Sequence, residues 1–314
     1  MIFSPEITEA VRQAFATDAP LALCRAPGAE PVLVSDFEVS PWPGQPDITP
    51  EVWRQSTPRE DYYTSIASLA ATLRAEGGKA VISRAICGCN PALDWTEVAS
   101  RLFERYPDAF CHLYHSPRSG WWLGATPEIL LRHDADGRFV TMALAGTRRD
   151  SLPWDAKNIE EHNMVRDFIA DTLSEAGVEF GMSPGDEIAY GSIRHRCTMF
   201  SGTMPDAATA ARIVDNLNPT PAVGGWPRRR AMEHIGAIEA HPRKDYGGYI
   251  SYSTGGTRSW YVNLRCVNFD LRGNYCIYAG GGITGMSVPA DEWAETEAKA
   301  AVLLELTGHN RSDL

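Results

Sequence analysis

Short runs that alternate apolar and polar residues interleave with runs of helical periodicity along the whole 314-residue chain. That interleaving restricts the fold to one mixed α/β or α+β domain over residues 1–314, long enough to bury a substantial core. No period of 20–50 residues repeats, which excludes a solenoid. No stretch approaches the ~20 apolar residues that cross a bilayer, so no membrane span is expected. Acidic residues number 40 against 29 basic ones, and the net charge of −11 leaves no electrostatic footprint for a nucleic acid. The opening segment MIFSPEITEAVRQAF lacks a basic region followed by an apolar one, so no secretory leader is expected and the cytoplasm is the expected location. Cys24, Cys87, Cys89, Cys111, Cys197, Cys266 and Cys276 fall without paired CxxC modules. They read as reduced packing residues, the Cys87/Cys89 pair included. The proline-rich stretch PWPGQPDITP, residues 41–50, reads as a surface loop.

Four segments carry the candidate chemistry. Residues 79–86 follow a Gly-Gly turn and read as a strand with Lys79, Val81 and Ser83 on one face. Residues 158–173 read as a helix whose apolar stripe is Val165, Phe168, Ile169 and Leu173, with Glu161 one turn earlier at its edge. Residues 260–267 alternate as a single strand, with Val262, Leu264 and Cys266 on one side. Tyr261, Asn263 and Arg265 then face a polar space. A strand over 275–279 is followed by Gly280, Gly281 and Gly282, and by a last helix over 291–306 preceded by Pro289. On that helix Glu292, Glu295 and Lys299 share one polar face.

Gly280, Gly282 and Gly285 spell GxGxxG, but no helix begins at the glycines and Pro289 intervenes, so a dinucleotide site is set aside. Three glycines after a strand offer backbone N–H groups to an anion, a carboxylate as readily as a phosphate. P-loop, zinc-peptidase and α/β-hydrolase chemistries lack their minimum residues. An isolated glutamate is usually a solvated helix residue. Glu161 abuts an apolar stripe, however, and Glu292 and Glu295 lie one turn apart, so the three could supply oxygen ligands to a hard cation such as Mg2+ if the two helices meet.

Together these pieces resemble the chorismate-utilising enzymes, and within them the isochorismate synthases of the menaquinone type. The resemblance runs over residues 60–308 and rests on KAVISR (79–84), GATPE (124–128), LAGTRR (144–149), EEHNMV (160–165), LNPTPAVGGWPR (217–228), YGG (246–248), NLRC (263–266), AGGGI (279–283) and EWAETEAK (292–299). Residues 1–59 are then a short N-terminal part of the same domain. The resemblance implies an α+β fold in which two large antiparallel sheets pack face to face with helices outside. It implies chorismate as the small-molecule substrate and a monomer with no nucleic-acid or membrane partner. It implies Lys79 as the base that activates water, Glu128 as the acid that protonates the departing 4-hydroxyl, and His195 beside the leaving group. Glu161 and Glu295 match Mg2+ ligands, with Glu292 holding the ion through water. Arg265, Tyr246 and the amides of Gly280, Gly281 and Gly282 match substrate-carboxylate contacts, with Gly146, Thr147 and Lys299 nearby; Arg suits a planar carboxylate because its donors form a fork. Such chemistry needs a glutamate kept protonated at neutral pH, which a closed, desolvating pocket provides.

Lys79 stands where the anthranilate synthases carry glutamine, which favours water over ammonia as nucleophile. Ala145 occupies the site of a nucleophilic lysine in aminodeoxychorismate synthases, which excludes covalent catalysis there. Ala222 and Leu144 resemble the isochorismate branch, whereas salicylate synthases, which also eliminate pyruvate, tend to carry threonine at the former. Asn218 and Arg228 depart from the branch pattern. Anthranilate-synthase-like amination and a paralogue that binds chorismate without turnover are the remaining readings. The latter is disfavoured by the joint presence of Lys79, Glu128, Glu161, Glu295 and Arg265.

Overall fold

A computed structural model describes residues 2–45, 48–149, 153–191 and 193–309. Residues 46 and 47 of the proline-rich stretch lie outside them. The first half of the chain forms α1 (Pro5–Thr17), β1 (Leu21–Arg25), β2 (Val32–Leu33), β3 (Phe37–Ser40), α2 (Arg59–Glu76), β4 (Lys79–Cys89), α3 (Trp95–Arg105), β5 (Phe110–Ser116), β6 (Gly120–Thr126), β7 (Ile129–His133) and β8 (Arg138–Arg149). The second half forms α4 (Ala156–Glu175), β9 (Phe180–Met182), β10 (Asp186–Tyr190), β11 (Ile193–Thr203), α5 (Ala207–Leu217), β12 (Gly225–Trp226) and α6 (Arg228–Ile238). It closes with β13 (Tyr249–Thr254), β14 (Thr257–Val262), β15 (Cys266–Phe269), β16 (Asn274–Ile283) and α7 (Pro289–Thr307). Helix starts follow side-chain chemistry: Asp94, Asp155 and Asp206 accept hydrogen bonds from the first-turn amides of α3, α4 and α5. α7 begins at Pro289 and ends at Gly308 in the left-handed conformation.

Two antiparallel sheets result, as expected. One has the order β12-β4-β16-β15-β6-β5-β1-β2 and the other β10-β11-β8-β7-β14-β13-β3, with β9 on β11. They meet face to face through aromatic side chains. Phe110 of β5 stacks on Tyr261 of β14 at 4.1 Å and on Tyr252 of β13 at 5.4 Å. The alternate residues of β5, Cys111 and Leu113, face outward into a second core beneath α1, α3 and α7. α4 and α5 cover the outer face of the other sheet, where Val165, Ile169, Leu173 and Ile213 pack on Leu131, Phe139 and Phe200. Phe168 is only half-buried there.

Three local expectations are corrected. Residues 260–267 are not one strand: β14 ends at Val262 in one sheet and β15 begins at Cys266 in the other, so 263–265 cross between them. Arg265 makes that crossing at φ 50°, a left-handed conformation that breaks the alternation. The strand expected over 275–279 does not stop before the glycines: they are part of β16, paired with Ser83, Ile82 and Val81 of β4. They remain extended without side chains because neighbouring groups fill the places a Cβ would take. The polar face of α7 is turned inward: Glu292 is 2% exposed.

Candidate active site

The site lies where β4, β8, β11 and β16 meet the sheet crossing and the N-terminal turns of α4. Its cleft is lined by Glu128, Gly146, Thr147, Glu161, His195, Ala222, Tyr246, Arg265, Gly280, Gly282 and Lys299, together with Leu144 and Ala145. Lys79 of β4 does not itself line the cleft but pairs with a residue that does: Nζ is 2.9 Å from Glu161 Oε1, with the lysine side chain fully buried. Neither Asn218 nor Arg228 lines the cleft. Arg228 is directed instead to the carbonyl of Asn216 and over the Phe168 ring.

The glycines shape the wall. A Cβ on Gly280 would stand 2.8 Å from Tyr246 Oη, and one on Gly282 would overlap Glu161 and stand 2.8 Å from Lys79 Cε. Gly281 faces the other way: its Cβ would meet Glu292 Oε2 at 3.1 Å and Glu295 Oε1 at 3.6 Å. Ladder alternation settles which amides are open. Val81 N–H donates to Gly224 O and Ser83 N–H to Glu239 Oε1, both away from β16, so their partners Gly282 and Gly280 also turn their amides outward. β15 covers β16 only from Tyr275 to Ile277, leaving that edge free. Gly280 O accepts from Lys299 Nζ at 2.8 Å.

Electrostatics separates the roles. Burial pushes Glu128 up to about 8 despite Lys79, Lys299, a Thr220 hydrogen bond and Arg265, which favours the protonated carboxyl at neutral pH. Burial, then Arg265 and Lys299, hold His195 well below the usual imidazole range. Arg265 Nη2 lies 2.7 Å from His195 Nε2, and since a guanidinium only donates, Nε2 accepts. The proton therefore sits on Nδ1, which donates toward Gly146 O at 3.2 Å. Arg265 also lies 4.3 Å from the Tyr190 ring, and its Nη1, buried, has no partner. An orphaned guanidinium donor at a cleft wall is the group that a carboxylate would satisfy.

Three acidic side chains lie among three lysines. Glu161 pairs with Lys79, Glu292 with Lys157 at 2.6 Å and Glu295 with Lys299 at 2.7 Å. Burial, opposed by Lys157 and reinforced by Glu295, pushes Glu292 up to about 7, while burial works to raise Glu295 but Lys299 and Lys157 draw it down to about 2. Burial works to lower Lys157, but Glu292, Glu295 and Glu161, in that order, outweigh it and hold the lysine above its ordinary value. Among the described residues no three such side chains converge closely enough to hold a metal as they stand. The donor chemistry nonetheless fits a hard cation. Glu292 Oε2 is buried without a partner, the missing Cβ of Gly281 leaves room beside it, and the ligands are all carboxylate oxygens.

Sequence reasoning missed Lys157, Tyr278 and Asn158. Lys157 precedes Glu161 by four residues on α4, a spacing that places the two side by side. Tyr278 shares the face of Gly280 and Gly282 by period two, lines the cleft and stacks on Tyr246. Asn158 Oδ1 accepts from Thr147 N–H at 2.7 Å, fixing the turn that bears Gly146 and Thr147, and only the tertiary structure reveals it.

A buried carboxyl shifted upward and an unsatisfied arginine donor line one cleft, a combination that suits an anionic ligand. Comparison with known proteins agrees. Residues 28–305 match the chorismate binding enzyme family, and the chain belongs to that family. The isochorismate synthase EntC of Escherichia coli is 30% identical over 277 residues, covering 82% of this chain and 70% of that protein. A putative isochorismate synthase MenF of Mycobacterium tuberculosis is 29% identical over 293 residues, covering 85% and 78%. Among solved structures, the menaquinone-specific isochorismate synthase MenF of Escherichia coli superposes with a TM-score of 0.69 at 25% identity, covering 84% of this chain and 64% of that one. A putative 2,3-dihydroxybenzoate-specific isochorismate synthase, DhbC of Bacillus anthracis, shares the fold at 22% identity and a TM-score of 0.74, covering 97% and 88%. Among the described residues no helix is long and apolar enough to cross a membrane.

Proposed function

We propose that this protein is an isochorismate synthase, converting chorismate to isochorismate with Mg2+. The feature that carries the reading is Glu128, its carboxyl pushed up by burial, in a cleft also lined by Glu161, the ion-pair partner of Lys79. Lys79 in its amine form takes the proton of the water that attacks C2, the ring double bonds shift, and Glu128 gives its proton to the 4-hydroxyl as it leaves as water. The neutral His195, its Nδ1 proton turned to Gly146, stands beside that departure. Arg265, Tyr246, Lys299 and the outward amides of Gly280 and Gly282 hold the substrate carboxylates, with Gly146 and Thr147 at the rim. Ala222 and Leu144, both in the cleft wall, leave space and bring no polar group. Gly281 serves the carboxylate side instead.

Glu161, Glu295 and Glu292 are the residues that would hold Mg2+, which when bound supplies positive charge to draw and offset the substrate carboxylate. Lys157 neutralises Glu292 otherwise. Lys157→Met leaves Glu292 to protonate and therefore lowers stability in EDTA by about 1–3 kcal/mol, the cost of an unsatisfied buried polar group, and added Mg2+ restores part of it. Thermal melts with and without Mg2+ check this; an equal loss in both would reduce Lys157 to packing.

The activity is tested by incubating the protein with chorismate, with and without Mg2+, separating products by chromatography and following pyruvate release. Mg2+-dependent isochorismate without stoichiometric pyruvate is the expected outcome. Stoichiometric salicylate and pyruvate would assign the chain to the lyase branch, and absence of any product would refute turnover.

A further inference from the structure

Cys87 of β4 and Cys276 of β16 are direct cross-strand partners with their sulfur atoms 3.1 Å apart. The backbone of Cys87 shows which kind of ladder position this is. Its N–H donates to Ser56 Oγ at 2.9 Å and its carbonyl accepts from the same hydroxyl at 3.4 Å, so both groups turn away from β16. Ala85, two residues earlier, does the same with Thr57: its N–H donates to Oγ1 at 3.0 Å and its carbonyl accepts from Thr57 N–H at 2.9 Å. Cys87 and Cys276 are therefore a non-hydrogen-bonded antiparallel pair, whose Cα atoms lie about 4.5 Å apart with side chains close together. That separation falls within the range a disulfide spans. Cys276 is buried, but Cys87 is half-buried beside the exposed Ser56, so one sulfur of the pair can be reached from solvent. Cys89, exposed two residues further along the same face, is opposite Asn274 and has no thiol across the ladder.

We propose that Cys87 and Cys276 are a site of reversible oxidation, closing to a cross-strand disulfide by exchange with a small-molecule disulfide. Cys87 loses its proton and attacks one sulfur of the oxidant, forming a mixed disulfide and releasing one thiolate. Cys276 loses its proton, displaces the second thiolate and completes the protein disulfide. Two protein thiols are oxidised, the small disulfide is reduced to two thiols, and these take up the two protons. The sulfur of Cys276 and burial hold the Cys87 thiol above its ordinary value, so exchange quickens as pH rises. The bond ties the strand that carries Lys79 to the one that carries Gly280 and Gly282. It does so eight residues along β4 from Lys79, roughly 26 Å away, so it affects stability rather than turnover.

The test treats the full chain with glutathione disulfide at mildly alkaline pH, blocks free thiols, and follows intact mass, non-reducing peptide maps and thermal melts. The expected result is protein that carries two fewer blocking groups than the untreated chain, a cross-linked peptide pair bearing Cys87 and Cys276, and a raised melting temperature, all reversed by dithiothreitol. Cys89→Ser behaves as wild type and Cys87→Ser shows none of these changes. Wild-type protein that stays reduced, or that stops at a glutathione adduct on Cys87, overturns the proposal. A loss of two blocking groups that persists in Cys87→Ser overturns it too.

Discussion

Glu128→Gln lowers kcat by about 10²–10⁴-fold and leaves KM within a few-fold. Burial pushes Glu128 up to about 8, so at neutral pH the native side chain is an uncharged acid and glutamine reproduces its shape and charge. What the amide lacks is a proton to give. The pH profile carries the same signature. A group that must donate works only below its pKa, so wild-type kcat/KM, which reports ionisations of the free enzyme, is retained at neutral pH and falls toward tenfold per unit above about 8. The residual activity of the variant stays flat over that interval. Steady-state profiles of the two proteins from pH 6 to 9.5 check both parts, and native kcat in the Glu128→Gln variant would remove Glu128 from the chemistry.

The second large effect is expected from a single methyl group. Gly282→Ala places a Cβ inside the contact distance of Glu161 Oε1, 2.7 Å from its Cδ and 2.8 Å from Lys79 Cε. Gly282 has no left-handed conformation to lose, so the backbone accepts alanine and the clash is borne by the Lys79–Glu161 pair. A displacement of about 1 Å in a base costs on the order of 10²-fold in rate, while overpacking of this size costs about 1–3 kcal/mol of stability. Gly281→Ala is the matched control. Its Cβ meets Glu292 Oε2 at 3.1 Å, on the opposite face, so it alters the Mg2+ dependence and spares Lys79. Rate constants and melting temperatures of the two variants, each across a Mg2+ titration, separate these outcomes. Equal behaviour of the two would contradict the assignment of opposite faces.

The sequence was legible where one local period governs placement. Alternation along 79–86 and helical spacing through Glu161 and along Glu292, Glu295 and Lys299 put the charged groups on the elements where they occur. The sequence was misleading where two elements join without a break in pattern. Asn263 and Arg265 continue the polar alternation of β14, so nothing local marks the change of sheet at 263–265; the left-handed Arg265 is imposed by the crossing. The glycines lie beyond the end of the expected strand because a strand rarely carries three. Their cause lies in Tyr246, Glu161 and Glu292, far away in sequence. Lys157 was within reach, since four residues separate it from Glu161, but its meaning depends on Glu292, which lies 135 residues further on and meets it only in the folded chain.

The most direct test of the account is to run the reaction with chorismate and Mg2+ in water enriched in heavy oxygen and to analyse the product by mass spectrometry. Attack by water that Lys79 activates predicts isochorismate carrying one solvent oxygen, at C2. Isochorismate without solvent oxygen would show that the hydroxyl moves within the substrate and would contradict the roles given to Lys79 and Glu128.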